Sequence, residues 1–579
     1  MKRRAAEWAR WCLFTLLSWS GTCIAGLEID VMGEADARLR SNIEAFTQLD
    51  ETPCDAPRWL IRRQRGQLDE QVKNAVRALG YYRPVIESAL AFEDTCWRVT
   101  LTVDPGERTL VSKRRILING DMANDPAFES LLAVLPLVEG DPIDHGRYER
   151  IKSRLRNFAL ERGYFDFSIT RSVLLIADDL TTAEIDIAAN SGSRYHLGEI
   201  SLSAAPLDAD FLRRLADLPT GAGYDARALV AATRNLEARG YFSRVDVRAD
   251  IDGRTNGVVP VDITLEPAAR HAWRFGAGFA TDSGPRGGVR FENRRVNKEG
   301  HRFDAELRVS QLESGLTADY QMPGFDPHKS NYSVSLGALH EDTASATSDS
   351  AKLVFRHTLT DSDWTRTRFL ELLHESSDFG DAGVNSNLVM PGIGINRVRA
   401  DDILRTRRGH RINIELRGAS EAMLSSTNLL QIRTNGKWIR RFGDAGRVVA
   451  RAELGVTWVD DFSALPASVR FFAGGDNSVR GYDFDALGPA DDRGNVIGGR
   501  HLLTAGLDYE YPVKGEDWWL AVFADAGDAF NDTELDLRTG AGVGFRWYSP
   551  LGRLKVDIAR PNERSDDSWR LHISLGVDL

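Results

Sequence analysis

The chain has 579 residues, of which 42% are hydrophobic and 27% charged, and its formal net charge is −11 at pH 7. This length predicts several domains, and the acidic balance argues against a nucleic-acid-binding protein, because such proteins carry a basic surface. The only long apolar run lies near the N-terminus. That excludes a bundle of transmembrane helices but not a β-barrel, whose strands alternate apolar and polar residues.

The first 25 residues have the pattern of a secretory signal peptide. A basic start at residues 2–4 precedes an apolar stretch over 11–19, and small residues surround Ala25. The apolar stretch is too short to span a bilayer, so we expect cleavage near Ala25 and export of the remaining chain.

Cleavage there removes Cys12 and Cys23 and leaves Cys54 and Cys96, an even pair in an exported protein. A bridge between them would close a loop of about 43 residues, which the chain-entropy model values at roughly 4 kcal/mol. We therefore expect a disulfide between Cys54 and Cys96, with two free buried thiols as the alternative.

Three repeats of about 80 residues follow, each long enough for a small α+β domain. In each repeat a long helical pattern ends in Gly-Tyr-aromatic and continues into a strand, and this occurs at 80–82, 163–165 and 240–242. Glycine at that point fits a helix end that needs positive φ. The order of elements around it is β-α-α-β-β in every repeat. The expected domains are 26–105, 106–190 and 191–266.

From Pro267 the helical period gives way to an alternation of apolar and polar residues that continues to the C-terminus. Over 447–459, for example, Arg451, Glu453 and Thr457 alternate with apolar residues. The segments have about the 9–11 residues that a membrane-spanning strand needs. Their polar face carries charges of both signs, as a water-filled lumen would.

The number of strands also fits a membrane barrel. Eleven plausible strands precede Phe472 and five follow Arg500. Sixteen is an even number, as in most bacterial barrels. Residues 267–579 are therefore expected to form a 16-stranded antiparallel transmembrane β-barrel, and an array of soluble β-sandwiches is the alternative.

A loop rich in Gly and Asp, residues 473–499, lies between strands eleven and twelve and contains Val479, Arg480, Gly481 and Tyr482. Taken alone, this loop could be a glycine hairpin with a solvated arginine. Further glycine-rich runs follow it. They are Phe523-Ala524-Asp525-Ala526-Gly527 on strand thirteen, and Gly540-Ala541-Gly542-Val543-Gly544-Phe545-Arg546 followed by Ser549-Pro550-Leu551-Gly552 on strand fourteen and beyond it.

These runs together resemble the barrel-assembly and polypeptide-transport superfamily of outer membranes, over nearly the whole mature chain. Its periplasmic modules are POTRA domains, which have the same β-α-α-β-β order. Three modules, rather than two or five, are most similar to the TamA family, the outer-membrane subunits of translocation and assembly modules. The chain departs from many outer-membrane barrels at its end, where Leu579 stands in place of an aromatic residue.

The resemblance implies a structural role for the loop. In relatives the sixth loop folds back into the barrel and its arginine meets the aspartate of strand thirteen, which here pairs Arg480 with Asp525. Such a pair fixes geometry through a bidentate contact. The alternation of side chains also places the implied lumen residues on the inner face: Phe523, Asp525, Gly527, Gly542, Gly544 and Arg546.

No catalytic or metal-binding pattern is present. The 11 histidines are scattered, and His374-Glu375 has no second histidine four residues on. There is no Gly-x-Ser-x-Gly turn or phosphate loop, so we expect no enzyme and no cofactor or metal. Glycine weakens a strand, and Gly276 and Gly278 in the first barrel strand with Gly576 in the last predict a lateral seam.

The expected function is assembly of outer-membrane proteins. Autotransporters and other β-barrel clients would be inserted or translocated through the seam by strand addition, without nucleotide hydrolysis. The resemblance implies a TamB-like inner-membrane partner, unfolded client proteins, surrounding outer-membrane lipid, and POTRA domains in the periplasm of a Gram-negative bacterium. A two-partner-secretion-type transporter usually has two modules and a general barrel-insertion subunit five, while a passive porin needs none.

Overall fold

The computed structural model describes residues 26–32, 37–47, 49, 52–92, 96–280, 284–343, 345–379, 383–402, 405–443, 446–532, 535–549, 552–562 and 569–576. The predicted signal peptide and Leu579 lie outside the described residues. The chain forms two compact units. The first holds the first two modules and part of the third (219–228 and 249–261 with the chain up to Glu199), and the second holds the rest of the third module and all later strands.

The first module consists of β1 (Gly26–Val31), α1 (Ala37–Phe46), α2 (Arg58–Ala78), β2 (Val85–Phe92) and β3 (Trp97–Asp104). Its sheet has the order β1-β3-β2, with β1 parallel to β3 and β2 antiparallel to it. Buried apolar side chains of both helices, including Ile43, Leu68 and Val72, pack against Trp97 and Val99. A disulfide joins Cys54 to Cys96, which confirms the predicted bridge.

The second module repeats this order with β4 (Leu110–Asn119), α3 (Pro126–Ala133), α4 (His145–Arg162), β5 (Ser168–Ile176) and β6 (Thr182–Asn190). Its sheet order is β4-β6-β5. The helix ends follow from local chemistry. The side chains of Asp125 and Asp144 cap the starts of α3 and α4, and α4 ends at Gly163, which has a φ of 85°.

The third module consists of β7 (His196–Leu202), α5 (Ala209–Ala216), α6 (Ala226–Ala238), β8 (Phe242–Ala249) and β9 (Val258–Pro267), with the sheet order β7-β9-β8. The predicted β-α-α-β-β order is thus confirmed in all three modules. No described helix is both long and apolar enough to cross a membrane.

The remaining strands form a single 16-stranded sheet in chain order, with antiparallel neighbours, which confirms the predicted barrel. Eleven strands precede the loop and five follow it. They are β10 (His271–Ala280), β11 (Gly284–Asn293), β12 (Arg302–Ser310), β13 (Glu313–Pro323), β14 (Ser330–Asp342), β15 (Thr347–Asp361), β16 (Trp364–Asp378), β17 (Gly383–Ala400), β18 (Gly409–Ala419), β19 (Leu429–Phe442), β20 (Gly446–Val459), β21 (His501–Lys514), β22 (Trp518–Phe530), β23 (Arg538–Ser549), β24 (Gly552–Pro561) and β25 (Arg570–Gly576).

The barrel reverses the usual distribution of side chains. On β22, Leu520 and Val522 are exposed, whereas Phe523 and Asp525 are buried, and on β23 Val543 is exposed. Apolar side chains therefore face outward, where lipid surrounds a membrane barrel, and charged side chains face inward. A soluble β-sandwich would place its apolar face on the inside.

The end strands of the sheet leave a seam. Each strand from β10 to β25 pairs with its neighbour in chain order, but no ladder joins β25 to β10 over the described residues. Gly276 and Gly278 lie in β10, opposite Gly288 and Arg286 of β11. Gly576 ends the described part of β25, opposite Arg553 of β24.

Candidate functional site

The loop between β20 and β21 is built as an ordered plug. Two isolated bridges, Phe471 with Gly499 and Ala473 with Leu487, draw its two sides together. Val479 is fully buried. The apolar cluster around it consists of Phe471, Ala473, Tyr482, Leu487, Leu502 and Ala529. Because this cluster includes side chains of β21 and β22, it attaches the loop to the barrel wall.

Arg480, at the tip of this loop, is 1% exposed and contacts carboxylates from three strands. Its Nε lies 2.6 Å from an oxygen of Asp525, one Nη lies 2.6 Å from Asp508, and the other lies 2.9 Å from Asp557. The backbone N–H of Arg480 also donates to Asp525 at 3.2 Å. The guanidinium lies 3.4 Å from the ring centroid of Phe523, a cation–π distance.

Two further arginines balance the three carboxylates. Arg451 of β20 donates to Asp525 at 2.6 Å, and Arg546 of β23 contacts both Asp557 and Asp508. Buried charges are costly unless they are paired and hydrogen-bonded. A shared network of this kind meets that requirement, because each of these carboxylates receives hydrogen bonds from more than one arginine.

The network continues along the inner wall through Glu510 of β21, which is 1% exposed. Glu510 accepts hydrogen bonds from Arg447 at 2.7 Å, from Arg546 at 3.3 Å and from Arg553. Arg546 thus belongs to both groups. Alternating charges therefore join neighbouring strands from β20 to β24 along the inner wall.

Glycines let the loop approach the wall closely. Gly481 has a φ of 103°, which favours glycine, and a Cβ there would lie 3.0 Å from the backbone nitrogen of Pro561. Gly540 of β23 lies under the carbonyl oxygen of Arg480, and a Cβ on Gly540 would collide with that oxygen. Gly544 likewise leaves room for Asp557 and Arg546.

The loop also reaches the last strand. The backbone N–H of Gly481 donates to Nε2 of His572 at 3.0 Å, and Nδ1 of His572 lies 2.5 Å from Asp476 of the same loop. His572 belongs to β25, one of the two strands at the seam. The plug therefore fixes the C-terminal side of the seam.

The structure brings together most of the residues singled out in the sequence. Val479 to Tyr482 lie beside Phe523, Asp525 and the glycines of β23. Arg546 and Arg480 are linked through Asp557, which accepts hydrogen bonds from both. Gly527 lies two residues beyond Asp525, in register with Thr504 and Arg538. The seam glycines Gly276 and Gly278 lie on β10, which takes no part in these contacts.

Sequence reasoning did not assign these members to the network: Arg447, Arg451, Asp508, Glu510, Arg553, Asp557 and His572. The alternation on β21 carried a usable signal, because Asp508 and Glu510 alternate with Leu507, Tyr509 and Tyr511. That pattern predicts two inward carboxylates. It does not identify their partners, which depend on the register of four other strands.

Asp508, Asp525 and Asp557 all face arginines. Within the described ranges, no group of three or more His, Cys, Asp or Glu side chains is placed to hold a metal ion. The geometry therefore supports a network that positions the loop and the strands around it.

Comparison with known protein families assigns both parts of the chain. Residues 295–578 match the Omp85 superfamily domain, residues 28–105 match the POTRA domain TamA domain 1, and residues 114–190 match the surface antigen variable number repeat, a POTRA model. The chain belongs to the Omp85 superfamily. It is a TamA-like, non-enzymatic assembly and transport factor in the outer membrane of a Gram-negative bacterium, with its POTRA domains in the periplasm.

Individual relatives agree with this assignment. Outer membrane protein assembly factor BamA of Neisseria meningitidis serogroup B is 24% identical over 83% of this chain and 68% of its own length. BamA of Nitratidesulfovibrio vulgaris is 31% identical over 19% of this chain and 16% of its own length. The crystal structure of Haemophilus ducreyi BamA lacking POTRA domains 1–3 has the same fold, with a TM-score of 0.68 and 16% identity over 81% of this chain and all of that chain.

Proposed function

We propose that this Omp85 protein assembles or translocates autotransporters and other β-barrel clients through a lateral seam between β10 and β25, without nucleotide hydrolysis. The observation that carries the proposal is the seam itself. Every other neighbouring pair of barrel strands is joined by a ladder, whereas β10 and β25 share none over the described residues. A sheet with this topology can part sideways without breaking any of its ladders.

The bilayer supplies the driving force for strand exchange. An unsatisfied backbone group in an apolar medium costs several kcal/mol. An incoming client strand can satisfy such groups at the edge of β10 by β-augmentation. The folding of the client lowers the free energy as its strands leave the seam. No chemical energy source is therefore required.

The two sides of the seam differ in their contacts with the plug. The C-terminal side is tied to the plug through His572 and through the carboxylates of β21, β22 and β24. The N-terminal side is β10, in which Gly276 and Gly278 supply no side chains to pack. We infer that β10 is the strand that separates first and receives the client.

The first module supports a periplasmic partner. It matches the TamA-type POTRA model, and β2 lies at the edge of its sheet. The side chains of β2 alternate between exposed and half-buried positions. A TamB-like inner-membrane protein could add a strand there. Site-specific crosslinking from Glu87, an exposed residue of β2, followed by identification of captured periplasmic proteins, tests this partner.

A cysteine lock tests the seam. Gly276→Cys is combined in turn with cysteine at Ser574 or Leu575 of β25, and the pair that crosslinks is used for measurement. The locked protein is expected to assemble an autotransporter client at least tenfold more slowly, with recovery on reduction. The client is followed by its surface exposure in a strain that lacks the unmodified chain. Normal assembly by the locked protein would overturn the seam proposal.

The matched control is a cysteine pair at Ile414 and Thr434, which lie opposite each other on β18 and β19. This pair links two strands that a ladder already joins, so oxidation should leave client assembly unchanged. Because the reductant also opens the native Cys54–Cys96 bridge, the control variant reports that effect separately.

A further inference from the structure

The same kind of contact occurs at the end of each of the first two modules. The guanidinium of Arg108 donates to the carbonyl oxygen of Leu79, with its Nη2 at 2.9 Å. The Nε of Arg194 donates to the carbonyl oxygen of Arg162 at 3.0 Å. Both carbonyls belong to the residue before the glycine of the Gly-Tyr repeat, where a helix ends with unpaired C=O groups. Each arginine precedes the first strand of the next module and interacts favourably with the helix dipole.

The third module makes the same contact with the barrel. The Nη1 of Arg302, the first residue of β12, donates to the carbonyl oxygen of Arg239 at 2.7 Å. Arg239 precedes Gly240, so its position matches those of Leu79 and Arg162. The barrel therefore takes the place that a following module takes at the two earlier joints.

Further hydrogen bonds hold this third joint. The hydroxyl of Tyr241 donates to the carbonyl oxygen of Gly300 at 2.5 Å, and the backbone N–H of Asp208 donates to Lys298 at 2.8 Å. Gly300 has a φ of 79°, and a Cβ there would lie 2.6 Å from the ring of Phe211. The turn between β11 and β12 thus fits closely against α5 and the end of α6.

From Arg302 the contacts lead to the seam strand. The Nη2 of Arg302 lies 2.5 Å from Oε1 of Glu292 on β11. The other carboxylate oxygen, Oε2, lies 3.1 Å from the Nη2 of Arg274 on β10. Glu292 is 5% exposed. Glu292 therefore bridges the guanidiniums of Arg302 and Arg274, and the Nε of Arg294 lies 3.6 Å from its Oε2. Hydrogen bonds between such ionised groups are stronger than those between neutral groups.

We propose that Glu292 and Arg302 are positioning residues that couple the end of α6 to the seam strand β10. Three successive contacts connect them: Arg239 carbonyl to Arg302, Arg302 to Glu292, and Glu292 to Arg274. While α6 holds Arg302, Glu292 holds β10 in register with β11. Displacement of the end of α6 loosens Glu292 and releases β10. The functional consequence rests on the proposed lateral seam, whereas the coupling itself does not.

The test compares Glu292→Gln with a matched control, Asp304→Asn, in the full chain in lipid nanodiscs. Asp304 is also a buried acid, and its partner Arg290 lies on β11, so its contact crosses the same two strands without reaching α6. Spin labels at Val230→Cys on α6 and Phe275→Cys on β10 report the distance between the two elements. Both side chains are exposed. Hydrogen exchange reports the protection of β10.

Glu292→Gln is expected to broaden the label distance distribution and to speed exchange of the β10 amides about tenfold or more, as loss of a charged hydrogen bond implies. Arg302→Lys should give a smaller change in the same direction, because lysine keeps the positive charge but lacks the planar guanidinium that contacts two partners at once. Asp304→Asn should change neither measurement. Equal changes in the control, or none in Glu292→Gln, would overturn the coupling.

These measurements need no client, so they separate the coupling from the proposed function. Slower or faster client assembly by Glu292→Gln, together with a functional effect of the cysteine lock, would support the gating role of β10. Broadened distances with normal assembly in both experiments would keep the coupling and overturn the seam.

Discussion

Arg480 is the residue on which the site depends most. Among the residues that the structure describes, it is the one cation that contacts Asp508, Asp525 and Asp557 at once. Arg480→Ala leaves these carboxylates short of a partner, and breaking a buried charge network typically costs about 3–5 kcal/mol. We expect the variant barrel to lose its compact, heat-modifiable migration in detergent gels at a lower temperature. Arg480→Lys should recover only part of the loss, because lysine cannot contact three carboxylates as a planar fork.

The control for this prediction is Arg493→Ala, an exposed arginine in the same loop, which should leave the transition temperature unchanged. The double variant Arg480→Ala with Asp525→Asn tests the pairing. If the two residues act in one network, its loss of stability should be smaller than the sum of the single losses. An additive loss would show that they stabilise the barrel independently.

At the scale of elements, the start of α3 and the end of α4 are joined by one side chain. Asp125 caps α3 by accepting from the N–H of Ala127 and also accepts from Arg162 at 2.8 Å and Tyr164 at 3.0 Å. Burial alone would raise the pKa of Asp125, but these hydrogen bonds outweigh it and lower that pKa below its usual value. Burial, together with the bond to Asp125, raises the pKa of Tyr164 to about 12.

The two shifts predict opposite pH dependences. Because the folded pKa of Asp125 is lowered, its contribution to stability is complete above the unfolded pKa of about 3.9 and is lost as pH falls through the folded value. Because the pKa of Tyr164 is raised, its contribution is complete below about 10 and is lost as pH rises towards the folded value.

Asp125→Asn should therefore lower the thermal unfolding midpoint of the helical circular dichroism at neutral pH, by an amount that corresponds to about 1–3 kcal/mol. The difference from the unmodified chain should shrink below about pH 4, the unfolded pKa of an Asp carboxyl, as pH falls towards the lowered folded pKa of Asp125. Asp210→Asn is the control, because that side chain is 79% exposed in its pair with Arg213. A constant difference at all pH values would contradict the charge-based explanation.

At the scale of the whole molecule, periodicity explains how much of the fold was predictable. The β-α-α-β-β order followed from helical stretches that end at Gly80, Gly163 and Gly240, and the barrel followed from strict alternation after Pro267. These are local patterns with fixed periods. The Arg480 network was only partly predictable, because Asp508 and Asp557 meet through the registers of several strands.

The contacts that couple α6 to β10 could not be predicted from any local sequence pattern. Arg239 and Arg302 are 63 positions apart, and each looks like an ordinary surface arginine in the sequence. Their contact depends on how the β11–β12 turn meets the third module. Sequence patterns describe the periodicity of each element, whereas such contacts arise only when separate elements pack together.

The disulfide gives a prediction about how stability is distributed over the chain. Cys54 and Cys96 lie in the first compact unit, and their bridge closes a loop of about 43 residues, worth roughly 4 kcal/mol in the chain-entropy model. Replacing both cysteines with serine should speed amide exchange in α1 and α2 and lower the midpoint of helix unfolding. The heat-modifiable transition of the barrel should stay unchanged, because the barrel belongs to the other unit. Reduction of the unmodified chain should reproduce the effect of the double serine variant, since both remove the same covalent constraint. A barrel transition that moves together with the helices would show that the two units unfold as one.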